Sequence, residues 1–247
     1  MNGQILHIIS EARSQNRKLL AVLIDPDTPD DQQLKDIIRH INTSRADLIF
    51  VGGSLLAHDS LDQCLSIIKA HSEVPAILFP GSVMQISPKA DAILFLSLIS
   101  GRNPELLIGN QVIAAPYIRQ SKLEVLPTGY MLIDSGRPTT ASYMSNSLPI
   151  PYHKDEIAAC TAMAGEMLGL KLMYMDGGSG ADKPVSPSMI KEVRKSIDVP
   201  IIIGGGIRDV ETAKNICEAG ADVIVVGNAT ESNPAILKEI ASAIHNL

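Results

Sequence analysis

The chain has no tryptophan, only three cysteines, and aromatic residues at 3% of its 247 positions. Cys64, Cys160 and Cys217 lie far apart with no C-x-x-C pair, which argues against both a disulfide framework and a zinc site. Basic residues are also scarce, 21 Lys and Arg against 27 Asp and Glu, for a formal charge of −6. Nucleic-acid binders hold phosphates with a basic stripe and stack bases on aromatic platforms; lacking both, this chain is expected to have no nucleic-acid partner. No apolar run approaches the roughly 18 residues of a membrane span. The opening MNGQILHIISEARSQNRK has neither the apolar core nor the small-residue cleavage site of a signal peptide. Stable membrane insertion is therefore not expected, and a reducing cytoplasm is the expected setting. No linker-like stretch or charge run divides the sequence, so residues 1–247 read as one domain.

What the chain does have is apolar content, 45% of residues, gathered in short runs. Eight of these, at 19–24, 47–51, 75–79, 92–96, 124–133, 171–175, 199–203 and 222–226, are bounded by Gly, Pro or Asp. Most are continuously apolar rather than alternating, as strands covered on both faces require, and amphipathic stretches such as DDQQLKDIIRHI lie between them. The pattern is α/β, and eight such units in this length predict a (β/α)8 barrel. One unit is defective. Between Phe79 and Ala92 stands PGSVMQISPKAD, whose Pro80, Gly81 and Pro88 leave little room for a crossover helix. The barrel is thus expected to have its third helix lost or replaced. The resulting gap, lined by Val83, Met84, Ile86 and the following LSLIS, would be filled by a subunit contact or a loop, or would serve as a groove for an apolar ligand.

In such barrels the chemistry sits at the C-terminal ends of the strands, and the loops after strands seven and eight commonly bind phosphate. IIIGGGIRDV follows strand seven with Gly204, Gly205 and Gly206 in a row, VVGNA closes strand eight, and strand six ends in YMDGGSGAD. One glycine turn is a corner; three at adjacent strand ends point to an anion cradle of backbone N–H groups. Strand one ends in IDPDTPDD. Asp25 emerges there fixed by Pro26, while Asp27, Asp30 and Asp31 read as N-cap and dipole-favoured acids of the next helix. Strand two ends in VGGSL, bringing Ser54 to the neighbouring position, and a carboxylate with a hydroxyl suits Mg²⁺ completed by phosphate oxygens and water.

LIDPD, VGGSL, YMDGGSGA, IIIGGGI and VVGN, in this order over most of the chain, resemble the geranylgeranylglyceryl phosphate synthase family, including its bacterial heptaprenyl-transferring relatives. The resemblance implies a barrel with one helix replaced. It also implies prenyl transfer from a polyprenyl diphosphate, geranylgeranyl first among them, to sn-glycerol 1-phosphate, with Mg²⁺ at the diphosphate. Asp25 and Ser54 take the metal positions. Tyr174, Met175, Asp176, Gly177, Gly178, Ser179 and Gly180 take the first glycerol-phosphate segment, Gly205 and Gly206 the second, and Gly227 and Asn228 the third. Asp176 is the candidate proton acceptor and Tyr174 its helper in placing the acceptor. Where archaeal members read Tyr-Leu-Glu-Ala-Gly-Ser-Gly, this chain reads YMDGGSG, so Asp176 reaches one methylene less far. A homo-oligomer is expected. The alternatives are a phosphosugar isomerase or epimerase, which uses the same cradle without an apolar trench, and a non-catalytic barrel that binds phosphorylated ligands.

Overall fold

A computed structural model of the chain describes residues 3–227 and 234–247. Eight parallel strands, β1(Leu19–Ile24), β2(Leu48–Val51), β3(Ala76–Leu78), β4(Ala92–Leu98), β5(Glu124–Leu132), β6(Leu172–Asp176), β7(Ile201–Gly204) and β8(Val223–Val226), pair in order. The ring closes where Leu19 of β1 meets Val223 of β8. Period-two geometry divides each strand between two cores. Along β1, Leu19 and Ala21 pack inside the barrel with Leu48, Phe50, Leu94 and Tyr174, whereas Leu20, Val22 and Ile24 face the helical layer.

That outer layer comprises α2(Asp31–Ser44), α3(Leu61–His71), α4(Asn110–Ser121), α6(Asp155–Met167), α7(Pro187–Ser196), α8(Val210–Ala219) and α9(Ile236–Ile244). The first helix, α1(Gln4–Ser14), plays another part. Its Ile5, Ile9 and Ala12 join the interior cluster and plug the N-terminal end of the barrel. Gly3 gives this helix no side-chain cap. The buried Glu124 carboxylate, at the start of β5, accepts hydrogen bonds from the Ile5 and Leu6 N–H groups at 2.8 and 2.9 Å, meeting two donors that the first helical turn leaves open.

No helix forms between β3 and β4, as Pro80, Gly81 and Pro88 predict. A loop takes its place, and it is anchored rather than loose. Gln85, 4% exposed, donates to the Gly53 carbonyl at 3.0 Å and accepts from Gly81 N–H at 3.1 Å, clasping the loop after β2. Beyond β4 the chain forms a π-helix, Glu105–Gly109, that runs straight into α4. Ser97 Oγ donates to the Leu107 carbonyl at 2.6 Å, and Gln111 Nε2 donates to the carbonyls of Leu96 and Leu106, so side chains meet carbonyls around the widened turn. After β5 a short α5(Thr140–Ser145) lies in a loop that returns beside the barrel through a bridge between Ile133 and Ile150.

Candidate active site

The inward parity of each strand decides what reaches the C-terminal mouth. On β5 it runs through Leu126 to Tyr130; on β6 it runs through Leu172 and Tyr174 to Asp176. The parallel register sets Tyr130 beside Tyr174 and Leu132 beside Asp176. Four of the eight Phe and Tyr residues collect here. Phe79 stacks on Tyr174 with centroids 4.9 Å apart, Tyr130 meets both edge-on at 5.8 and 5.5 Å, and Phe50 supports them from below. An aromatic floor underlies the mouth.

Asp176 stands on that floor, 7% exposed. Tyr130 Oη donates to its Oδ2 at 2.5 Å and the Gly178 N–H donates to its Oδ1 at 2.7 Å. Burial raises the carboxyl above the usual aspartate range, and these two hydrogen bonds offset only part of that rise. The Tyr130 and Tyr174 hydroxyls are pushed well above the usual tyrosine value, first by burial and then by the Asp176 charge, so both stay protonated.

The turns after β6 and β7 pack backbone to backbone. Gly205 and Gly206 hold φ of +84° and +74°, and Gly178 and Gly180 hold +84° and +73°, all in the left-handed region. A Cβ on Gly205 would sit 2.7 Å from Gly178 N; one on Gly204 would meet the Tyr174 hydroxyl at 2.4 Å. The run of three therefore has separate causes: Gly204 clears a buried hydroxyl, while Gly205 and Gly206 turn the chain against the neighbouring loop. A Cβ on Gly206 would lie 2.8 Å from Pro184 N and 2.9 Å from the Lys183 carbonyl carbon. Gly206→Ala should therefore lower the melting temperature by at least about 2 °C, since left-handed strain alone costs about 1–2 kcal/mol. An unchanged melt would refute this account of the turn. The N-terminus of α8 is capped by Asp209, which accepts from Thr212 N–H at 2.7 Å.

Opposite, Asp25 accepts from Asp27 N–H at 3.0 Å through Oδ1, and its Oδ2 lies so close to Gly53 that a Cβ there would stand 2.9 Å away. Burial raises the Asp25 carboxyl, the Asp27 N–H lowers it, and the Asp27 charge raises it again. Ser54 borders the same space. Among the described residues no three His, Cys, Asp or Glu side chains converge on one point. A divalent cation here has to complete its shell with ligand and water oxygens, the habit of Mg²⁺, and the two hard oxygens of Asp25 and Ser54 fit that requirement.

Asp25, Ser54, Phe79, Tyr130, Tyr174 and Asp176 line one cavity of about 560 Å³. At one end are Gly178, Ser179, Gly180, Gly205, Gly206, Arg208 and Gly227; the other end is an apolar trench where the missing helix would lie. The trench runs along Leu106, Asn110, Ala114 and Ile118, about 18 Å by helical rise, against Val83, Ile86 and Ile93. Thr140, Ala141, Met144 and Ser145 of α5 border the mouth, and Arg137 ties their loop to the Gly180 carbonyl.

A family model described as the PcrB family matches residues 13–244. The chain belongs to the PcrB family. Among its relatives, the geranylgeranylglyceryl phosphate synthase of Chitinophaga pinensis is 51% identical over 245 residues, covering 99% of this chain and 97% of that protein. The one from Spirosoma linguale is 49% identical over 237 residues, covering 96% and 95%. The crystal structure of (S)-3-O-geranylgeranylglyceryl phosphate synthase from Thermoplasma acidophilum, in complex with its substrate sn-glycerol-1-phosphate, superposes with a TM-score of 0.93 at 34% identity, covering 98% of this chain and 99% of that one.

In this PcrB-family barrel Asp25, Ser54, Tyr174, Asp176, Gly178, Ser179, Gly180, Gly205, Gly206 and Gly227 all reach the cavity. Met175 does not, because outward parity buries its side chain among the helices. Nor does Gly177, whose N–H is spent on the Gly204 carbonyl at 3.0 Å. Asn228 lies outside the described residues. Met84, expected on the trench, is 85% exposed and turned away from it. Only Asp30 and Asp31 serve α2 as expected, Asp30 as N-cap in a capping box. Asp27 instead accepts from the Ala57 and His58 N–H groups and Ser60 Oγ, fastening the loop that carries Ser54. Burial alone would raise its carboxyl, but these bonds outweigh it and hold it below the usual value.

Tyr130, Gln85, Arg208 and the α4 face went unseen in the sequence. Inward parity ending at a strand's C-terminus could have found Tyr130; nothing local marks Gln85.

Proposed function

We propose that this chain joins a polyprenyl group, donated from its diphosphate, to sn-glycerol 1-phosphate in a Mg²⁺-dependent reaction that releases diphosphate. One observation carries the reading: a single cavity leads from a glycine cradle, past a carboxylate, into an apolar trench. The cradle fits a phosphate and the trench fits a hydrocarbon tail; a phosphosugar isomerase has no use for the second. Arg208 at the rim, its guanidinium held by the Ala181 carbonyl at 2.6 Å, adds positive charge on the phosphate side.

The chain's own groups supply most of the chemistry. The cradle holds the acceptor's phosphate and directs its free hydroxyl over the aromatic floor, and the trench lays the donor's C1 beside it, so orientation lowers the barrier. As the allylic C1–O bond loosens, the faces of Phe79 and Tyr130 suit the positive charge developing at C1. Asp176 takes the hydroxyl proton, its raised pKa making it a stronger base than an ordinary aspartate. A Mg²⁺ ion held by Asp25 and Ser54 would stabilise the charge left on the diphosphate as a Lewis acid.

Incubation with sn-glycerol 1-phosphate, Mg²⁺ and diphosphates of several prenyl lengths tests the reading. Formation of prenylglyceryl phosphate supports it; phosphosugar turnover without transfer refutes it.

We further infer a homo-oligomer built through α4 and α6. Both helices bury one apolar face and expose another, including Val112, Ile113 and Tyr117 on α4 and Ile157 and Met167 on α6. Sedimentation should show an assembly that Ile113→Glu with Tyr117→Glu dissociates; a monomeric parent would overturn this.

A further inference from the structure

We propose that Tyr130 relays the proton, its hydroxyl being the group that touches the acceptor hydroxyl while Asp176 is the terminal base behind it. The inference rests on the prenyl-transfer reading and deepens it. Both Asp176 oxygens already accept hydrogen bonds, Oδ1 from Gly178 N–H at 2.7 Å and Oδ2 from Tyr130 Oη at 2.5 Å. Both residues border the cavity, but Asp176 is buried at 7% exposure whereas Tyr130 is the less buried of the two, so its hydroxyl is the more open to an incoming group. A tyrosine hydroxyl has one proton and two lone pairs. With the proton committed to Asp176, the lone pairs are what it presents to an incoming hydroxyl.

The shorter side chain gives the arrangement its purpose. A glutamate at position 176 would extend one methylene further toward the mouth; the aspartate ends at Tyr130. The phenol bridges the difference. Burial holds the Tyr130 hydroxyl far above the ordinary tyrosine range, so a free phenolate does not accumulate and the two transfers are coupled.

The step balances. The acceptor's hydroxyl oxygen forms a bond to C1 of the donor, and the C1–O bond to diphosphate breaks with its electron pair leaving on the diphosphate. The acceptor's proton passes to Tyr130 Oη as the Tyr130 proton passes to Asp176 Oδ2. Tyr130 ends as it began, and Asp176 ends protonated.

The test is single-turnover transfer from geranylgeranyl diphosphate to sn-glycerol 1-phosphate with Mg²⁺, using the parent, Tyr130→Phe, Asp176→Glu and the double variant. Circular dichroism confirms each fold. Tyr130→Phe should slow the chemical step by about a hundredfold or more with little change in KM for glycerol 1-phosphate. The double variant should recover at least about tenfold over Tyr130→Phe, because glutamate reaches the acceptor directly. In mixtures of light and heavy water the parent's rate should bow downward, the mark of two protons in flight, and Asp176→Glu/Tyr130→Phe should give a straight line. A Tyr130→Phe rate within about threefold of the parent, a double variant no faster than Tyr130→Phe, or a straight line for the parent overturns the relay. If the variants fail to fold, the parent's isotope curve alone decides. A parent with no transfer at all sinks the underlying reading and the relay with it; a parent that transfers but fails these comparisons sinks only the relay.

Discussion

Asp25→Ala is expected to slow turnover by about a thousandfold while glycerol 1-phosphate binds near its parental affinity. The size follows from the several kcal/mol that a Lewis acid contributes to charge on a departing phosphate, each 1.4 kcal/mol or so being a factor of ten. The selectivity follows from the layout. Asp25 stands at the ends of β1 and β2 beside Gly53, whereas the glycine turns belong to β6 and β7 on the other side of the mouth. Calorimetry with glycerol 1-phosphate, alongside a rate assay across Mg²⁺ concentrations, measures both halves. Turnover in the parent that survives thorough chelation would remove the metal from the reaction, and loss of glycerol 1-phosphate binding in Asp25→Ala would merge the two half-sites into one.

Asp176→Asn is expected to lower kcat by about 10²- to 10⁴-fold, because an amide cannot take a proton in either the direct or the relayed version of the step. Its effect on stability has the opposite sign. The folded pKa of Asp176 is raised above the unfolded value of 3.8, so the folded state binds more protons. That contribution to stability is fully present below pH 3.8 and is lost as pH rises through the folded pKa. Above its folded pKa the parent carries a buried charge that asparagine lacks, so Asp176→Asn should melt no lower than the parent there while losing part of the pH dependence between the two pKa values. A variant with parental kcat would reduce Asp176 to a structural acceptor for Tyr130 and Gly178. A large fall in melting temperature above the folded pKa would show that the Tyr130 hydrogen bond outweighs desolvation.

Much of this architecture is written locally. Most of the eight strands announce themselves as runs such as LLAVLI or DVIVV, since a strand covered on both faces favours apolar side chains throughout. The absent helix is equally plain in Pro80, Gly81 and Pro88. Asp25, Ser54 and the glycine turns are legible as cavity-lining positions because they stand at strand ends. What escaped is relational. Inward parity can mark Tyr130 at the end of β5, but its partner Asp176 lies forty-six residues away along the chain, and neither segment alone names the other. Asp27 looks like any acid before a helix, yet its partners are Ala57 and Ser60 in another loop. Met84 shares its apolar character with Val83 and Ile86, but a loop has no fixed period, so composition cannot say which of the three turns inward.

The π-turn at Glu105–Gly109 has an arithmetic consequence for the trench. An extra residue in a helix rotates everything after it by about 100°. Remove one residue from the segment and each later side chain inherits the place of its predecessor: Ala115 would stand where Ala114 does, and Arg119 where Ile118 does. A guanidinium would then face a space lined by Ile93 and Val83, with no acid among the described residues of that wall to meet it. Single-codon insertions and deletions between β4 and α4 therefore redeal the whole wall at once, and the count of residues, more than the identity of any one, decides whether a hydrocarbon tail meets isoleucine or a charge.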